Sequence, residues 1–250
     1  MKEDVSHTSL RFVTPECTAA FRCFVNFKEV FVMTNTVSST RVSSTHKIVV
    51  TAMLSAVAFA LMFIEVPIPM LIPSFVKLDI SDLPALLGSF ALGPVYGVVV
   101  ELMKNLLHLI IKGTTSGGAG ELCNFLLGVF LVVPAGALYR KLKPKDTANM
   151  TRQEVKAKGL KAAIIGSLVG TIVMAVASVP LNFFVAYPIY AKMFGGMDLI
   201  VSAYQAILPS MKNLLQCLIV FNMPFTFVKG LLDVLLCLVI YKPLSPLLHK

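Results

Sequence analysis

Ionisable and amide side chains recur at helical spacing inside stretches that are otherwise apolar. Between Val95 and Lys112, the residues Glu101, Lys104, Asn105, His108 and Lys112 lie three and four apart and share one helix face. Charge in hydrocarbon is costly, so such a stripe turns toward the protein interior or a water-filled cavity. Glu101 and Lys104 form an i, i+3 pair that can neutralise itself, and a purely structural role and a functional one stay open for them. Asn105 and His108 are expected to line a cavity. A second stripe, Thr226, Lys229 and Asp233, follows near the C-terminus. Lys229 either snorkels to the interface or points inward and donates to a ligand carbonyl. Thr171, Ser178 and Asn182 repeat at near-helical spacing, and Glu121 and Asn124 open another apolar stretch. Polar groups on several helices thus converge at one end, which suits capture of a polar, largely uncharged molecule.

Other chemistries are missing. There is no GxxxxGK[ST] loop, because the run Gly113–Gly120 lacks the phosphate-binding lysine, and neither HExxH nor GxSxG is present. The five cysteines (17, 23, 123, 217 and 237) show no metal-ligand spacing, so neither zinc nor a disulfide framework is expected. Uphill movement of a solute would need ion coupling or a separate ATPase.

The elements that position these groups are read from hydropathy. Of 250 residues, 56% are hydrophobic and only 14% charged, with a mean hydropathy of +0.81. One soluble core cannot hide that much apolar surface, so lipid is the expected solvent. The net charge of +9 lies between the apolar stretches, as in loops beside an anionic leaflet, and nucleic-acid binding is not expected. Residues 1–46 read as a polar, disordered extension, with Met33 as an alternative start. Residues 47–250 read as an all-α membrane domain.

Six helices are expected: Ile48–Val66, a short one from Asp79 to Leu92, Val95–Lys112, Glu121–Tyr139, Ala162–Tyr187 and Phe225–Tyr241. The second is too short to span by itself. Residues 188–210 read as irregular, and Met211–Phe221 as a half-helix ended by Asn222 and Pro224. Tyr139, Tyr187, Tyr190 and Tyr241 are expected as interfacial anchors. Basic residues cluster before the first span, between the fourth and fifth, and after the sixth. The positive-inside rule then puts both termini in the cytoplasm. Ala52, Ala56 and Ala60 form a small-residue face, for packing inside the bundle or for docking another subunit.

The segments Lys77–Asp82 (KLDISD), Gly88–Pro94 (GSFALGP), Lys104-Asn105 with His108, Gly120–Asn124 (GELCN) and Asn222–Gly230 (NMPFTFVKG) resemble the substrate-binding S-components of energy-coupling-factor (ECF) transporters, the riboflavin-specific branch in particular. The resemblance covers roughly residues 47–250. It implies a six-helix bundle in the bacterial plasma membrane that is not an enzyme and needs no cofactor. Riboflavin is then the cargo, held in the outer half under the loop after the first helix. It implies docking of Ala52, Ala56 and Ala60 on a transmembrane coupling subunit driven by two ATPase subunits. By position, Phe75, Lys77, Leu78 and Asp79 belong to the covering loop. Asn182 and Lys229 read the pyrimidine edge of the flavin, with Asn105, Glu121 and Asn124 nearby. Thr226 stands where relatives often carry Asn. Phe75, Leu78 and Phe183 are expected as apolar walls.

The alternatives are an S-component for another vitamin or a flavin analogue such as FMN or roseoflavin, a membrane enzyme using the Glu101/Lys104/His108 stripe, and a stand-alone ion-coupled carrier.

Overall fold

The computed structural model describes residues 44–68, 72–73, 76–114, 117–144 and 150–248, all within the unit Ser38–Lys250. The expected N-terminal extension, apart from residues 44–46, lies outside the described residues. So does Phe75.

Helix α1 (Ser44–Met62) begins and ends four residues earlier than expected. Prolines 67 and 73 forbid its continuation. Val66–Pro67 (β1) instead pairs antiparallel with Lys77–Leu78 (β2), with Val66 opposite Leu78. This two-residue ladder is the one departure from an all-α fold among the described residues. Helix α2 (Leu83–Ala91) has nine residues, eight of them buried, and is about 14 Å long. Its expected caps do something else: Asp82 makes no side-chain cap, while Asp79 Oδ1 accepts the Ser81 backbone N–H at 3.0 Å. Gly93, at φ 119°, turns the chain into α3 (Pro94–Ile111).

Helix α4 (Ala119–Leu142) follows the Gly-rich connection. Its Gly128 and Gly136 lie where a Cβ would collide with Glu101 and Ser89, and this close approach lets Ser89 donate to the Val132 carbonyl at 2.8 Å. Helix α5 (Arg152–Leu181) starts ten residues before the expected Ala162, because Thr151 and Glu154 form a capping box. It runs through a π-helical turn, Asn182–Ala186, into α6 (Tyr187–Phe194). Pro188 does not break this run, since it sits in the first turn of α6. After Gly195-Gly196 comes α7 (Met197–Gln205), so most of the segment expected to be irregular is helical. Helix α8 (Leu214–Cys217) passes through a second π-helical turn, Leu218–Asn222, into α9 (Met223–Leu248). The half-helix and the last span expected from sequence are therefore one continuous element.

Five of these runs are long and apolar enough to cross a membrane: Ser44–Met62, Pro94–Ile111, Ala119–Leu142, Gln153–Met193 and Leu214–Val239. Contacts at their ends give their directions. Lys112, just past the end of α3, pairs with Glu65, just past the end of α1, at 3.1 Å. At the other end the Lys47 ammonium lies 5.9 Å from the Tyr96 ring. Helices α1 and α3 are therefore parallel, and the chain between them returns through the hairpin loop and α2. Helix α4 is antiparallel to α3, with Gly93 beside Arg140 and His108 facing Glu121.

Tyr139, Tyr187 and Tyr190 are buried, not at a lipid interface, and the Tyr241 side chain is outside the description. Tyr139 packs on Phe90, with ring centroids 4.9 Å apart. Cys123, Cys217 and Cys237 are buried free thiols. The alanine face resolves its two readings in part: Ala52 and Ala56 are exposed and Ala60 half-buried, while Thr51, Ser55 and Ala58 pack inward.

Candidate functional site

A cavity of about 330 Å³ opens at the end of the bundle where α1 and α3 finish and α4 begins. This lies within the range of small-ligand pockets. Its floor is ionic. The Lys229 ammonium meets Asp79 Oδ2 at 3.0 Å, Asp82 Oδ2 at 3.1 Å and Asn124 Oδ1 at 3.1 Å. Below it, fully buried Lys104 pairs with Glu101 at 2.8 Å, donates to Ser81 Oγ at 3.0 Å and also binds Asp82. Asp82 thus serves both lysines, from the first residue before α2. Buried charges are tolerated only when partnered in this way. Asp233, one turn beyond Lys229, is fully buried, and neither of its oxygens has a hydrogen-bond partner among the described residues.

The mouth is built differently. Glu65, after α1, accepts from Lys77 of β2 and from Lys112 after α3. His108 lies between two carboxylates, with Nε2 3.5 Å from Glu65 and Nδ1 3.5 Å from Glu121. Thr114 donates to Glu121 at 3.0 Å, and the Lys112 ammonium is 5.3 Å from the Phe63 ring. Burial alone would raise the Glu65 carboxyl, but hydrogen bonds from Lys77 and Lys112 outweigh it and hold the group below its ordinary value of 4.5.

Between floor and mouth lie three asparagines, of which Asn182 and Asn124 have an amide polarity imposed by their partners. Asn182, which opens the first π turn, donates its Nδ2 to the Ser178 carbonyl at 2.8 Å, leaving Oδ1 as an acceptor. Asn124 must turn its oxygen to the Lys229 ammonium, which leaves a buried Nδ2 with no hydrogen-bond partner among the described residues. Asn222, which closes the second π turn, is held by Tyr187 and Tyr204. Leu127, Met174 and Phe225 supply apolar wall.

Of the residues expected from sequence, Lys77, Asp79, Glu121 and Asn124 line this cavity, as do Asn182, Thr226 and Lys229. Leu78 and Asn105 do not: Leu78 is a half-buried strand residue, and Asn105 donates to the Glu101 carbonyl of its own helix at 2.8 Å. Phe183 packs edge-on against Phe184 and is not part of the lining. Lys229 points inward, not to the interface, and donates to Asp79 and Asn124, with the Asp82 carboxylate 3.1 Å away as an ion-pair partner. Sequence reading missed Glu65, Tyr190 and Asn222. The signal for Asn222 was present, since it lies four residues before Thr226 and continues the stripe to Lys229 and Asp233. It was lost by ending a helix at Asn222.

Residues 46–241 match the family described as "ECF transporter, substrate-specific component". The chain is 32% identical over 205 residues to the riboflavin transporter RibU of Staphylococcus aureus (strain TCH60), covering 82% of this chain and 93% of the relative. It is 31% identical over 205 residues to the riboflavin transporter FmnP of Bacillus subtilis (strain 168), covering 82% and 94%. A solved structure of the S component of a bacterial ECF transporter superposes with a TM-score of 0.60 at 30% identity, covering 83% of this chain and all of that one.

Proposed function

The chain belongs to the family of substrate-specific components of ECF transporters, and from that premise we propose that its cavity captures riboflavin for uptake. It is a transport subunit and not an enzyme, and riboflavin is its cargo. The observation that carries the choice of ligand is the enforced polarity of the cavity amides. The pyrimidine edge of a flavin presents carbonyl, N–H, carbonyl, and it needs donor, acceptor, donor in return. Asn124 Nδ2 and Lys229 offer donors, and Asn182 Oδ1 offers an acceptor. The buried Thr226 hydroxyl adds a group that can do either.

Because Lys229 is already engaged by Asp79, Asn124 and Asp82, a ligand carbonyl competes with these groups for its ammonium. Asp79 belongs to the loop between α1 and α2, so it is the partner free to move with that loop. Ligand capture and loop position are coupled through this one ammonium.

A multi-pass membrane protein with parallel α1 and α3 supports six crossings, the second made by the loop and α2 together. With six crossings, the basic segments put both termini in the cytoplasm of a bacterial cell and open the cavity outward. The exposed Ala52 and Ala56 support docking of α1 on a transmembrane coupling subunit, itself driven by two ATPase subunits. Tryptophan at Ala52 and Ala56 is expected to abolish uptake into cells while leaving detergent-solubilised protein able to bind riboflavin. Lost binding would return that face to a role within the bundle.

The deciding experiment is titration of the purified protein with riboflavin, followed by quenching of flavin fluorescence. Stoichiometric quenching is expected. Loss of a hydrogen bond from a charged group should make Lys229→Ala about 10- to 100-fold weaker, with Asn182→Ala about tenfold weaker. Folded protein without quenching would remove riboflavin as the ligand.

A further inference from the structure

The two π-helical turns are tied together beside the cavity by three side chains that the flavin-edge reading does not use. Tyr187 follows the first π turn directly, and its backbone N–H bonds the Asn182 carbonyl. Asn222 is the last residue of the second π turn. Tyr204 comes from α7. Asn222 Nδ2 donates to the Tyr187 hydroxyl at 3.0 Å, the Tyr187 and Tyr204 hydroxyls are in contact, and Tyr204 donates to Asn222 Oδ1 at 2.6 Å. Each hydroxyl has one proton. With the Tyr204 proton on Asn222, the Tyr187 proton goes to Tyr204, and the three bonds run in one sense around a closed ring.

The ring holds the Asn222 amide at both of its ends. Because each hydroxyl can donate or accept, the ring closes in either sense, with the amide oxygen toward Tyr204 or, reversed, toward Tyr187, whose hydroxyl also lies 3.4 Å from Oδ1. Asn222 is 3% exposed and lines the cavity, so an N–H and an oxygen lone pair that the ring leaves over are the hydrogen-bonding capacity it has to offer there. Both tyrosines are fully buried, so the place of the amide is held whichever way the ring's protons run. Single π turns are frequent at functional sites, and here each one positions a cavity asparagine.

The location selects the ligand group. Asn222 precedes Lys229 by seven residues, two helical turns, or about 10 Å along α9. If Lys229 and Asn124 hold the pyrimidine edge, Asn222 is too far away to share it. A polar amide at that distance suits the ribityl chain, which carries hydroxyl groups, each able to donate and accept, away from the ring.

We propose that Asn222 is a ligand-contacting residue whose amide hydrogen-bonds a ribityl hydroxyl, and that Tyr187 and Tyr204 are positioning residues that hold that amide in place. The proposal rests on the riboflavin reading above and adds a second recognition point to it.

The test compares riboflavin with lumiflavin, which keeps the isoalloxazine ring and replaces the ribityl chain by a methyl group. Asn222→Ala should weaken riboflavin about tenfold and leave lumiflavin unchanged. Tyr204→Phe removes one hydroxyl with little change in packing, and it should weaken riboflavin by a smaller factor with the same selectivity. Equal weakening of both ligands would make the ring a structural tie and overturn the assignment, as would no weakening of either. If Asn222→Ala does not fold, Tyr204→Phe carries the same selectivity test. Wild-type protein that binds neither flavin would overturn the riboflavin reading and this assignment with it. Wild type that binds both, with variants weakened alike, would overturn the assignment alone.

Discussion

The floor and the mouth of the cavity both use lysine–carboxylate pairs, yet they face opposite energetic problems. At the floor, Lys104, Glu101 and Asp82 are fully buried, and the charges cannot be repaid by water if a partner leaves. At the mouth, the Lys77 and Lys112 side chains are 43% and 35% exposed, and water substitutes for any partner that moves. The same pairing therefore makes a fixed base in one place and a reversible latch in the other. Asp79 joins the two, because it belongs to the mouth's loop and reaches the floor's Lys229.

The largest expected effect tests the floor. Asp82→Ala would leave both lysines short of a carboxylate in a closed interior, and breaking a buried pair in this way costs about 3–5 kcal/mol. Thermal unfolding in detergent should show a large drop in melting temperature or outright loss of folded protein. A drop no larger than that of a mouth substitution would erase the distinction between the two regions.

How much of this was legible beforehand depends on what breaks a helix. Helices α3 and α4 were read from sequence to within three residues at each end, because Gly93-Pro94 and the Gly-rich connection are unambiguous stops. Helices α5 and α9 were misread for one reason. Pro188 and Pro224 look like breakers, but each follows a π-helical turn and opens the next α-helical run, where its missing N–H costs little. The early start of α5 was signalled by Thr151 and Glu154 and was outweighed by the run of basic residues around it. In the site, 3.6-residue periodicity found Asn182, Thr226 and Lys229, because a polar group in an apolar helix stands out. It did not find Glu65, which was read as the end of the first helix and lies beyond α1 in the structure, and it missed Asn222 once α9 had been cut. That Asp82 serves two lysines depends on α2 being a short inserted helix, and spacing along the chain does not report that.

A smaller effect probes the mouth. Glu65→Gln removes the negative charge and one of the two oxygens that Lys77 and Lys112 share but leaves all three groups able to reach water. The expected loss is about 0.2–1 kcal/mol, shrinking as salt is raised. Denaturation of wild type and variant at two salt concentrations checks this. The riboflavin dissociation rate should rise more than stability falls, since the latch holds the loop and not the core. A loss of several kcal/mol, insensitive to salt, would mean that the mouth is as closed as the floor.

The smallest effect is also the most specific, and it concerns acid. The groups facing Glu65 are Lys77 from β2 and, from the end of α3, His108 and Lys112, with Glu121 of α4 on the far side of His108. With its folded carboxyl held below the ordinary 4.5, Glu65 contributes its full stabilisation above that pH and loses it as pH falls through the lower, folded value. The melting-temperature difference between wild type and Glu65→Gln should therefore not shrink until the pH drops below about 4.5, and should then vanish. Taking the difference removes the titration of every group that the two proteins share, to the extent that those groups do not sense Glu65. Shrinkage already above that pH would mean that burial, which pushes a carboxyl upward, outweighs the two lysines. The mouth would then resemble the floor, and the loop would no longer have a charged latch that is intact at neutral pH and released by exchange of partners.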